Sequence, residues 1–477
     1  MGHVHRERRI DGFAVFAAFS ITIVRLPWLI SYSGNLEIAV TVVILFGVLA
    51  LALSGGSFST NPLRLTPILL VLTLAVALVR GMLAGVGPFS LKGLITQSIL
   101  MLLFAMLGGL LIATAETRAR VNQRLVGIAL APAVYAACSV ILYFFGFASN
   151  EANPTSTSVA QGSANSILSL IGLPGQRVAL ALEPSINDFG IMAGAGLAAA
   201  LVLVATCRGR PRRLAVVVAA ASLVALALSD THGAIIAGLV GLLLVMPKRR
   251  PPVALVLFII VPFSFWIATE GVGLYASGLN VLSRGLQASS TGDERTVIWQ
   301  ACEFVLSHAS PLHWLFGWGS EGEATSRAST FYGFQVFSQI PNPTISETQN
   351  LGLQTLLDSG LVGMGALVLA TTLAAYRLDT WARKTRNPAV HAMLVAFVVL
   401  FLCGTSEAAP TYLVQTTILY ALMVMGCAGA LAGNSSLREA ALRARMAAQL
   451  VRAAVPTGSG GTGAHLGLRT RRLGAKP

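Results

Sequence analysis

The sequence NDFGIMAGAGLAAALVLVATCRGRPRRLAVVVAAASLVALALS, residues 187–229, contains two apolar runs separated by four arginines. Each run approaches the roughly 20 residues that a helix needs to cross a bilayer. Short loops rich in Lys and Arg remain on the cytoplasmic side of a membrane. The stretch therefore predicts a pair of membrane-spanning helices joined by a cytoplasmic turn.

Apolar runs of this kind continue along most of the chain. Hydrophobic residues make up 55% of its 477 residues and charged residues 11%, and the mean hydropathy is +0.74. This composition excludes a soluble globular or a disordered protein. We predict an all-α integral membrane protein with about twelve transmembrane helices. The predicted spans are 12–30, 36–53, 66–85, 94–114, 124–147, 187–206, 214–229, 233–247, 251–269, 350–376, 389–408 and 412–432.

The distribution of Lys and Arg gives the orientation. With the N-terminus in the cytoplasm, 26 of the 33 basic residues fall in cytoplasmic loops or tails, and both termini are cytoplasmic. Cations at the outer face need another reason to be there, and an anionic lipid-linked substrate supplies one. The seven basic residues left outside or in the membrane are Arg25, Arg80, Lys92, Arg177, Arg284, Arg295 and Arg327.

The net charge of +14 and the cysteines limit the function further. The charge is spread over short loops that face anionic lipid, so the predicted partner is membrane lipid and not nucleic acid. Of the five cysteines only Cys302 lies in an outer loop, which excludes a disulfide framework and a thiolate metal site. We therefore expect no metal and no cofactor.

Two outer loops are long, residues 148–186 and 270–349, and function is expected there. They divide the chain into five parts. These are helices 1–5 with the first loop, 1–186; helices 6–9, 187–269; the large loop, 270–349; helices 10–12, 350–432; and a basic, partly disordered cytoplasmic tail, 433–477, which begins with an amphipathic stretch, 437–451.

The first long loop ends in RVALALEPSIND, residues 177–188. An extended run over 177–183 places Arg177 and Glu183 on the same face, because side chains alternate along a strand. Two interpretations remain open. The pair is either a salt bridge that fixes the loop, or an ion pair that holds the Arg ready for a phosphate.

The second long loop contains the pattern of an amphipathic helix. Thr291 and Glu294 have the spacing of a capping box and predict a helix over 293–307. Arg295 lies in its first turn, where a cation opposes the helix dipole and needs an acid or a ligand phosphate. Asp293 and Glu294 are the nearest acidic candidates. The predicted apolar face comprises Ile298, Ala301, Cys302 and Val305.

The sequence HWLFGWGSEGE, residues 313–323, follows this helix. Its Trp314 and Trp318 either anchor the loop at the membrane interface or stack on sugar rings. Further on, Asp358 lies about two turns inside the tenth predicted span. Because a carboxylate at that depth is costly, we expect it to face the bundle interior, paired or hydrated.

Five short motifs follow one another between residues 170 and 365. They are Arg177 with EPS at 183–185, SDTHGAIIAG from Ser229, DERTVIWQ from Asp293, FGWG from Phe316 and TQNLGLQTLLDSGLVG from Thr348. In order and topology they resemble the O-antigen polymerase and ligase superfamily of bacterial surface-polysaccharide enzymes. The resemblance is to its Arg and Glu-Pro-Ser block, Ser-Arg-Gly/Ser segment, Arg-x-x-x-Trp helix start, Gly-x-Gly turn and closing His-Asn motif. Two positions depart from it: His232 stands where an Arg is usual, and Gln349 takes the place of the closing His.

The resemblance implies a GT-C-like polymerase/ligase architecture in the bacterial inner membrane, with both long loops in the periplasm. It implies a metal-independent glycosyltransferase of exopolysaccharide or lipopolysaccharide biosynthesis. An acceptor sugar hydroxyl attacks the anomeric carbon of an undecaprenyl-diphosphate-linked glycan, and the lipid diphosphate leaves. A chain-length regulator and a flippase of the same pathway are the implied protein partners.

The resemblance also suggests roles for single residues. Cations stabilise the developing diphosphate charge, with Arg177 and Arg295 as first candidates and Arg284 and Arg80 as the next. Gln349 cannot act as a base, because an amide does not titrate near neutral pH. We expect Glu347 to take the proton, with Glu183, His232 and His313 as alternatives. The residues expected to bind the acceptor sugar are Trp299, Trp318, His313, Gln349 and Asn350.

His232 in place of the usual Arg makes one phosphate-binding charge titratable. If His232 binds the diphosphate, activity falls as the pH rises through about 6.5. Among the remaining outer cations, Arg25 lies near the outer end of a span, like Arg80, and either lines the entry path of the lipid or snorkels. Lys92 and Arg327 have no motif around them and are predicted surface charges.

Other functions remain open at this stage. The absence of the closing His favours a polymerase over a ligase that transfers finished glycan to lipid A or to protein. A lipid-linked oligosaccharide flippase or transporter also suits twelve spans. Those folds have paired halves, however, and this chain shows no internal repeat.

Overall fold

The computed structural model describes most of the helical part of the chain. The described residues are 10–26, 34–54, 91–147, 178, 180–182, 185–247, 250–269, 289–336, 348–407, 409 and 416–431. They belong to one compact unit, Met1–Asn434, whereas the second unit, Ser435–Pro477, lies outside the described residues together with the amphipathic stretch predicted in it.

Within these ranges the chain forms fifteen helices and no strand. Eleven of them fall on predicted spans, and the span predicted at 66–85 lies outside the described residues. The helices are α1 (Gly12–Arg25), α2 (Gly34–Ser54), α3 (Leu91–Ala113), α4 (Arg118–Phe144), α5 (Ile186–Thr206), α6 (Arg210–Ser229), α7 (His232–Val245), α8 (Val253–Thr269), α9 (Ser289–Ser307), α10 (Pro311–Phe316), α11 (Gly322–Thr325), α12 (Ala328–Val336), α13 (Leu351–Thr385), α14 (Pro388–Cys403) and α15 (Thr416–Leu431).

The described helices have the length and surface of membrane helices. Four are long and apolar enough to cross a membrane, namely α4, α6, α13 and the part of α5 from Asn187 to Thr206. Large apolar side chains are exposed on helix surfaces, among them Phe46, Val217, Leu243 and Phe258. Such a surface is unfavourable in water, whereas lipid tails accept it. The fold is therefore that of a helical, membrane-embedded protein.

Helices α14 and α15 form the interior. Every side chain of α15 is buried, as are nearly all of those of α14. Helix α15 crosses α3 at two glycines, Gly108 and Gly426, and a Cβ atom added to either would overlap the backbone of the facing helix. Only glycine therefore permits the two backbones to approach this closely.

Polar contacts between residues distant in sequence mark the two ends of the bundle. At one end Arg124 of α4 forms an ion pair with Asp11 at 2.7 Å. At the other end Asn187, in the first turn of α5, donates to Glu407, which follows α14, at 3.2 Å. The first contact joins two segments that the sequence predicts inside, and the second joins two predicted outside.

Helix α13 extends beyond the span predicted at 350–376. It continues to Thr385, where the sequence becomes polar and Arg383 donates to Asp379 one turn earlier at 3.0 Å. The helix is also broken inside the predicted span. At Gly360 the backbone leaves the helical region, with φ 62° and ψ −161°.

The break in α13 is completed by the segment that contains α10 and α11, which we call the docked loop (residues 311–325). The backbone N–H of its Trp318 donates to the Leu357 carbonyl at 2.7 Å. The backbone N–H of its Gly319 donates to the Asp358 carbonyl at 3.0 Å. These carbonyls precede the break, so the docked loop supplies donors that a continuous helix would have supplied itself.

Two local predictions in the long loops are wrong. Helix α9 begins at Ser289, so Thr291 lies inside it and is not its N-cap, and Arg295 lies in the second turn. Serine starts a helix as readily as threonine, so the pattern did not identify the first residue. The extended run over 177–183 is interrupted by a turn at 181–182. Residues 180–182 are all buried, which a strand with alternating faces would not require.

Candidate functional site

The candidate site lies around Arg295 of α9, at the end of the bundle that carries the predicted outer loops. The Arg295 guanidinium lies 2.7 Å from Oε1 of Glu407, and its Nε donates to Oε1 of Gln349 at 3.1 Å. One acceptor follows α14 and the other precedes α13. The Arg295 side chain remains 21% exposed, so the cation is held without being sealed from the surroundings.

Glu407 is an acidic partner of Arg295 that the sequence pattern did not predict. Asp293 and Glu294 were the expected partners, and their side chains lie outside the part of the chain that the structure describes. The side chain of Arg295 turns toward the bundle, where it contacts Glu407. Glu407 lies in the turn after α14, and its Oε2 accepts a hydrogen bond from Asn187 of α5 at 3.2 Å. A signal was present in the sequence: a carboxylate at the end of an apolar span is costly unless it is paired.

Gln349 contacts Arg295 from a strained backbone. Its φ is +51°, in the left-handed region that costs a non-glycine residue about 1–2 kcal/mol. The neighbours hold it there. The Thr348 N–H donates to the Gln354 side chain at 3.2 Å, and the Thr348 hydroxyl donates to the Asn350 carbonyl at 2.9 Å. Gln349 therefore positions the cation, a role that needs no titratable group.

Trp299 and Asn350, predicted to bind the acceptor sugar, are both buried and both hydrogen-bond the backbone of other segments. Trp299 is 5% exposed, and its indole N–H donates to the Thr348 carbonyl at 3.1 Å. Asn350 is fully buried; it caps α13 by accepting from Leu353 N–H at 3.0 Å and donates to the Ser264 carbonyl at 2.9 Å. Trp299 is buried because it lies on the inward face of α9. The buried residues of this face are Ile298, Trp299, Cys302 and Leu306.

Two buried carboxyls flank Gln354. Its amide nitrogen donates to Glu323 at 2.5 Å and to Asp358 at 3.0 Å. Asp358 also accepts from Gly322 N–H at 2.7 Å, so it is buried and paired as predicted. Burial raises the pKa of Glu323 to about 7, and the hydrogen bond from Gln354 opposes this rise. Because Gln354 also accepts from Thr348, this carboxyl cluster is connected to the segment that holds Gln349.

His232 is the first residue of α7 and lies beside Asp230, which ends α6. The His232 Nε2 and the Asp230 Oδ1 are 3.1 Å apart, and the His232 side chain is 23% exposed whereas that of Asp230 is fully buried. A Cβ atom added at Gly233 would lie 3.5 Å from the Ser406 hydroxyl. The start of α7 therefore faces the turn that carries Glu407.

His313 and Trp318 of the docked loop stack on each other. Their ring centroids are 4.6 Å apart and their planes differ by 3°. The His313 Nδ1 also lies 3.0 Å from the Ser310 hydroxyl. One face of Trp318 is thus covered by His313 and is not open to a sugar.

The other outer cations differ in their surroundings. Arg25 is 6% exposed, so it is buried and does not snorkel to the surface. Arg327 is exposed, as expected for a surface charge. Val178 donates to the Leu228 carbonyl at 2.9 Å, near the end of α6. The predicted site residues that lie outside the described residues are Arg80, Arg177, Glu183, Arg284 and Glu347.

The arrangement can bind an anion and move a proton. Arg295 is permanently charged, and its two contacts leave several N–H donors for a phosphate. His232 adds an imidazole at the start of α7, which faces the turn that carries Glu407. Among the residues that the structure describes, no group of three His, Cys, Asp or Glu side chains is placed to hold a metal ion. No protein-family model matches the chain, and no curated protein sequence matches it significantly.

Proposed function

We propose that the chain is a polysaccharide polymerase, which transfers an undecaprenyl-diphosphate-linked glycan to an acceptor sugar hydroxyl at the periplasmic face. The observation that supports the proposal is the placement of Arg295. It is a permanent cation at the predicted outer end of the bundle, held between Glu407 and Gln349 and still 21% exposed.

A half-shielded arginine suits a diphosphate leaving group. Its planar donors match phosphate oxygens in pairs, and partial burial strengthens the attraction relative to water. Glu407 keeps the guanidinium oriented in the absence of substrate. When a diphosphate enters, we expect its negative charge to compete with Glu407 for the remaining donors.

The proposed reaction needs three groups. A cation stabilises the charge that develops on the diphosphate, which is the role of Arg295 with Arg177, Arg284 or Arg80 in support. A base takes the proton of the acceptor hydroxyl, for which Glu347, Glu183 and His232 are the candidates. The acceptor oxygen then forms the new bond to the anomeric carbon as the bond to the diphosphate breaks.

The proposed function requires a particular membrane, a particular orientation and protein partners. We place the chain in the bacterial inner membrane with twelve spans, both termini in the cytoplasm and both long loops in the periplasm. Membrane lipid surrounds it. A chain-length regulator and a flippase of the same pathway act with it, because the substrate must be delivered to the outer face and the product must be limited in length.

Disruption of the gene tests the function. For a polymerase, we expect single repeat units to accumulate on the lipid carrier at the periplasmic face, as measured by sizing the glycan. Full-length chains left on the carrier would indicate the ligase instead. Donor that accumulates on the cytoplasmic face would contradict both and indicate a flippase.

A matched pair of arginines tests the site. We predict that Arg295→Ala abolishes polymerisation, because it removes the cation that faces the leaving group. Arg327→Ala removes an exposed charge from the same loop and should leave activity within about twofold of the wild type. Both are measured as polymer formed from purified lipid-linked donor. Equal loss in the two variants would mean that only the total charge of the loop matters.

A further inference from the structure

The pairing of His232 with Asp230 has the geometry of an acid-base dyad. Asp230 is fully buried and lies 3.1 Å from the His232 Nε2. A carboxylate at this position accepts the Nε2–H and leaves the lone pair of neutral imidazole on Nδ1. Within the described part of the chain, Nδ1 makes no hydrogen bond. The histidine is thus oriented by one nitrogen and available through the other.

The surroundings of Asp230 fix this orientation. Asp230 is the C-cap of α6 with φ +48°, and a carboxylate-bearing residue tolerates that backbone better than most. The adjoining Thr231 presses against α5, since a Cβ atom at Gly190 would overlap its side chain. The turn between α6 and α7 is therefore held against the N-terminal part of α5, whose first turn carries Asn187.

The turn after α14 connects the dyad with Arg295. Gly233 faces Ser406, and the next residue, Glu407, binds both Arg295 and Asn187. Helices α5 and α14 pack against α7, and their ionisable groups at this end are Asp188 and Cys403. The turns beside them carry Asp230, which precedes α7, and Glu407 with its partner Arg295. The nearest of them, Asp230, stabilises a protonated imidazole.

We propose that His232 is the general base of the reaction and that Asp230 is its positioning residue. This rests on the proposed function. The His232 Nδ1 takes the proton from the acceptor hydroxyl, and the acceptor oxygen forms a bond to the anomeric carbon. The bond from that carbon to the diphosphate oxygen breaks, and its electron pair leaves with the diphosphate beside Arg295. Asp230 balances the positive charge that the imidazole gains.

This assignment reverses the pH dependence expected if His232 binds the diphosphate. A base must be neutral before it acts, so activity rises with pH across the range in which histidines titrate, about pH 5.5 to 7.5. A phosphate-binding imidazolium would make activity fall over the same range. The slope of one pH profile therefore separates the two roles.

The test is a pH profile of polymer formation from purified lipid-linked donor for the wild type, His232→Ala and His232→Gln. We expect a rising limb in the wild type that both variants lose, with a decrease in kcat of about 100-fold or more. The KM for the donor should be nearly unchanged, because the base does not hold the diphosphate. The pair of variants guards against a folding defect, which is checked by thermal unfolding in detergent.

Asp230→Asn tests the positioning role. Asparagine tolerates the left-handed backbone and can still accept the Nε2–H, but it no longer balances the imidazolium charge. We expect a smaller loss of kcat than for His232→Ala, with the rising limb moved to lower pH. A purely structural role would leave the limb in place.

Two kinds of failure are distinguishable. If the wild type forms no polymer from lipid-linked donor, the proposed function fails. The dyad proposal fails if the wild type polymerises but loses activity as the pH rises, or if His232→Ala keeps full activity. In both cases the proposed polymerase function stands. A limb that persists in His232→Ala also overturns the dyad, since the base is then another group.

Discussion

Gln349 accepts a hydrogen bond from Arg295 while its own backbone is left-handed. The energy that holds this conformation comes from Thr348, which is tied to Gln354, Asn350 and Trp299. Strain kept at such a position is often linked to function, because the fold would otherwise relax it. Here the strain sets the direction of a single amide toward the cation.

A pair of substitutions separates the strain from the contact. Gln349→Gly and Gln349→Ala both remove the hydrogen bond to Arg295, so we expect the same loss of activity from both. Glycine adopts a positive φ freely, so its variant should be about 1 kcal/mol more stable than the alanine variant. Polymerisation assays and thermal unfolding measure the two effects. A difference in activity that follows stability would show that Gln349 matters only for folding.

The Glu323 carboxyl makes the stability of the protein depend on pH. Burial raises its pKa from 4.5 to about 7, so the folded state holds this proton more tightly than the unfolded state. This contribution to the free energy of unfolding is fully present below about pH 4.5. It is lost as the pH rises to about 7, and the total loss is about 3 kcal/mol. Glu323→Gln should abolish this slope in thermal unfolding measured from pH 4.5 to 7.5. An unchanged slope would assign it to another group.

Single residues of the site were predictable only in part. The sequence singles out Arg295 because a cation at a predicted outer face is unusual and needs a cause. Its partner was not, because Glu407 lies 112 positions further along the chain and only tertiary packing brings them together. The resemblance suggests that Trp299 binds the acceptor sugar, whereas the structure describes its indole as buried. Whether an indole faces outward depends on the rotation of its helix, which a few polar positions leave undetermined.

At the scale of elements, the break in α13 links the docked loop to the bundle. Gly360 has φ 62°, and a Cβ atom there would overlap the backbone of Leu315 and Phe316. The same helix contains Gly365, which is exposed and has no neighbour within 4 Å of such an atom. The two glycines thus share one helix, but they differ in backbone conformation and in what surrounds them.

Alanine at these two positions should have opposite effects. We predict that Gly360→Ala destabilises the protein by at least about 2 kcal/mol, from backbone strain and from displacement of the docked loop. Gly365→Ala should be neutral or stabilise α13 by about 0.5–1 kcal/mol, because it only restricts the unfolded chain. Thermal unfolding in detergent compares them. Similar values would contradict the close packing at Gly360.

The long apolar helices could be predicted from the sequence, whereas the break in α13 could not. Long apolar runs specify helices in a membrane because backbone groups have no water to bond with. The run in α13 also contains Gly352, Gly363 and Gly365, so composition does not single out Gly360 as the break. Its position depends on donors from the docked loop, which are about 40 residues away in sequence. Helix periodicity carries no information on that contact.

At the scale of the molecule, labelling of cysteines tests the orientation. In a variant without its five native cysteines, Arg327→Cys lies in the second long loop and Arg210→Cys at the start of α6, both exposed. A membrane-impermeant maleimide should label the first in intact spheroplasts and the second only after permeabilisation. The reverse pattern would invert the molecule and place Arg295 in the cytoplasm.

The sequence predicts a membrane side for each segment, but it does not show which helices are central. Helices α8 and α14 are both strongly apolar, yet α14 is almost entirely buried whereas α8 exposes Phe258 and Ile259. Lipid tails are as apolar as a leucine side chain, so hydropathy does not distinguish a lipid neighbour from a protein neighbour. Small residues at close crossings carry that information, as at Gly108 and Gly426.

That crossing has a consequence for how a cell makes the protein. Gly426 is synthesised more than 300 residues after Gly108, which at about 5–20 residues per second means a delay of roughly 15–60 seconds. During this time the groove on α3 has no permanent neighbour and must be filled by lipid or by the insertion machinery. A ribosome that stalls before α15 therefore releases a chain in which the groove on α3 around Gly108 is uncovered. Quality-control proteases can recognise such an uncovered surface.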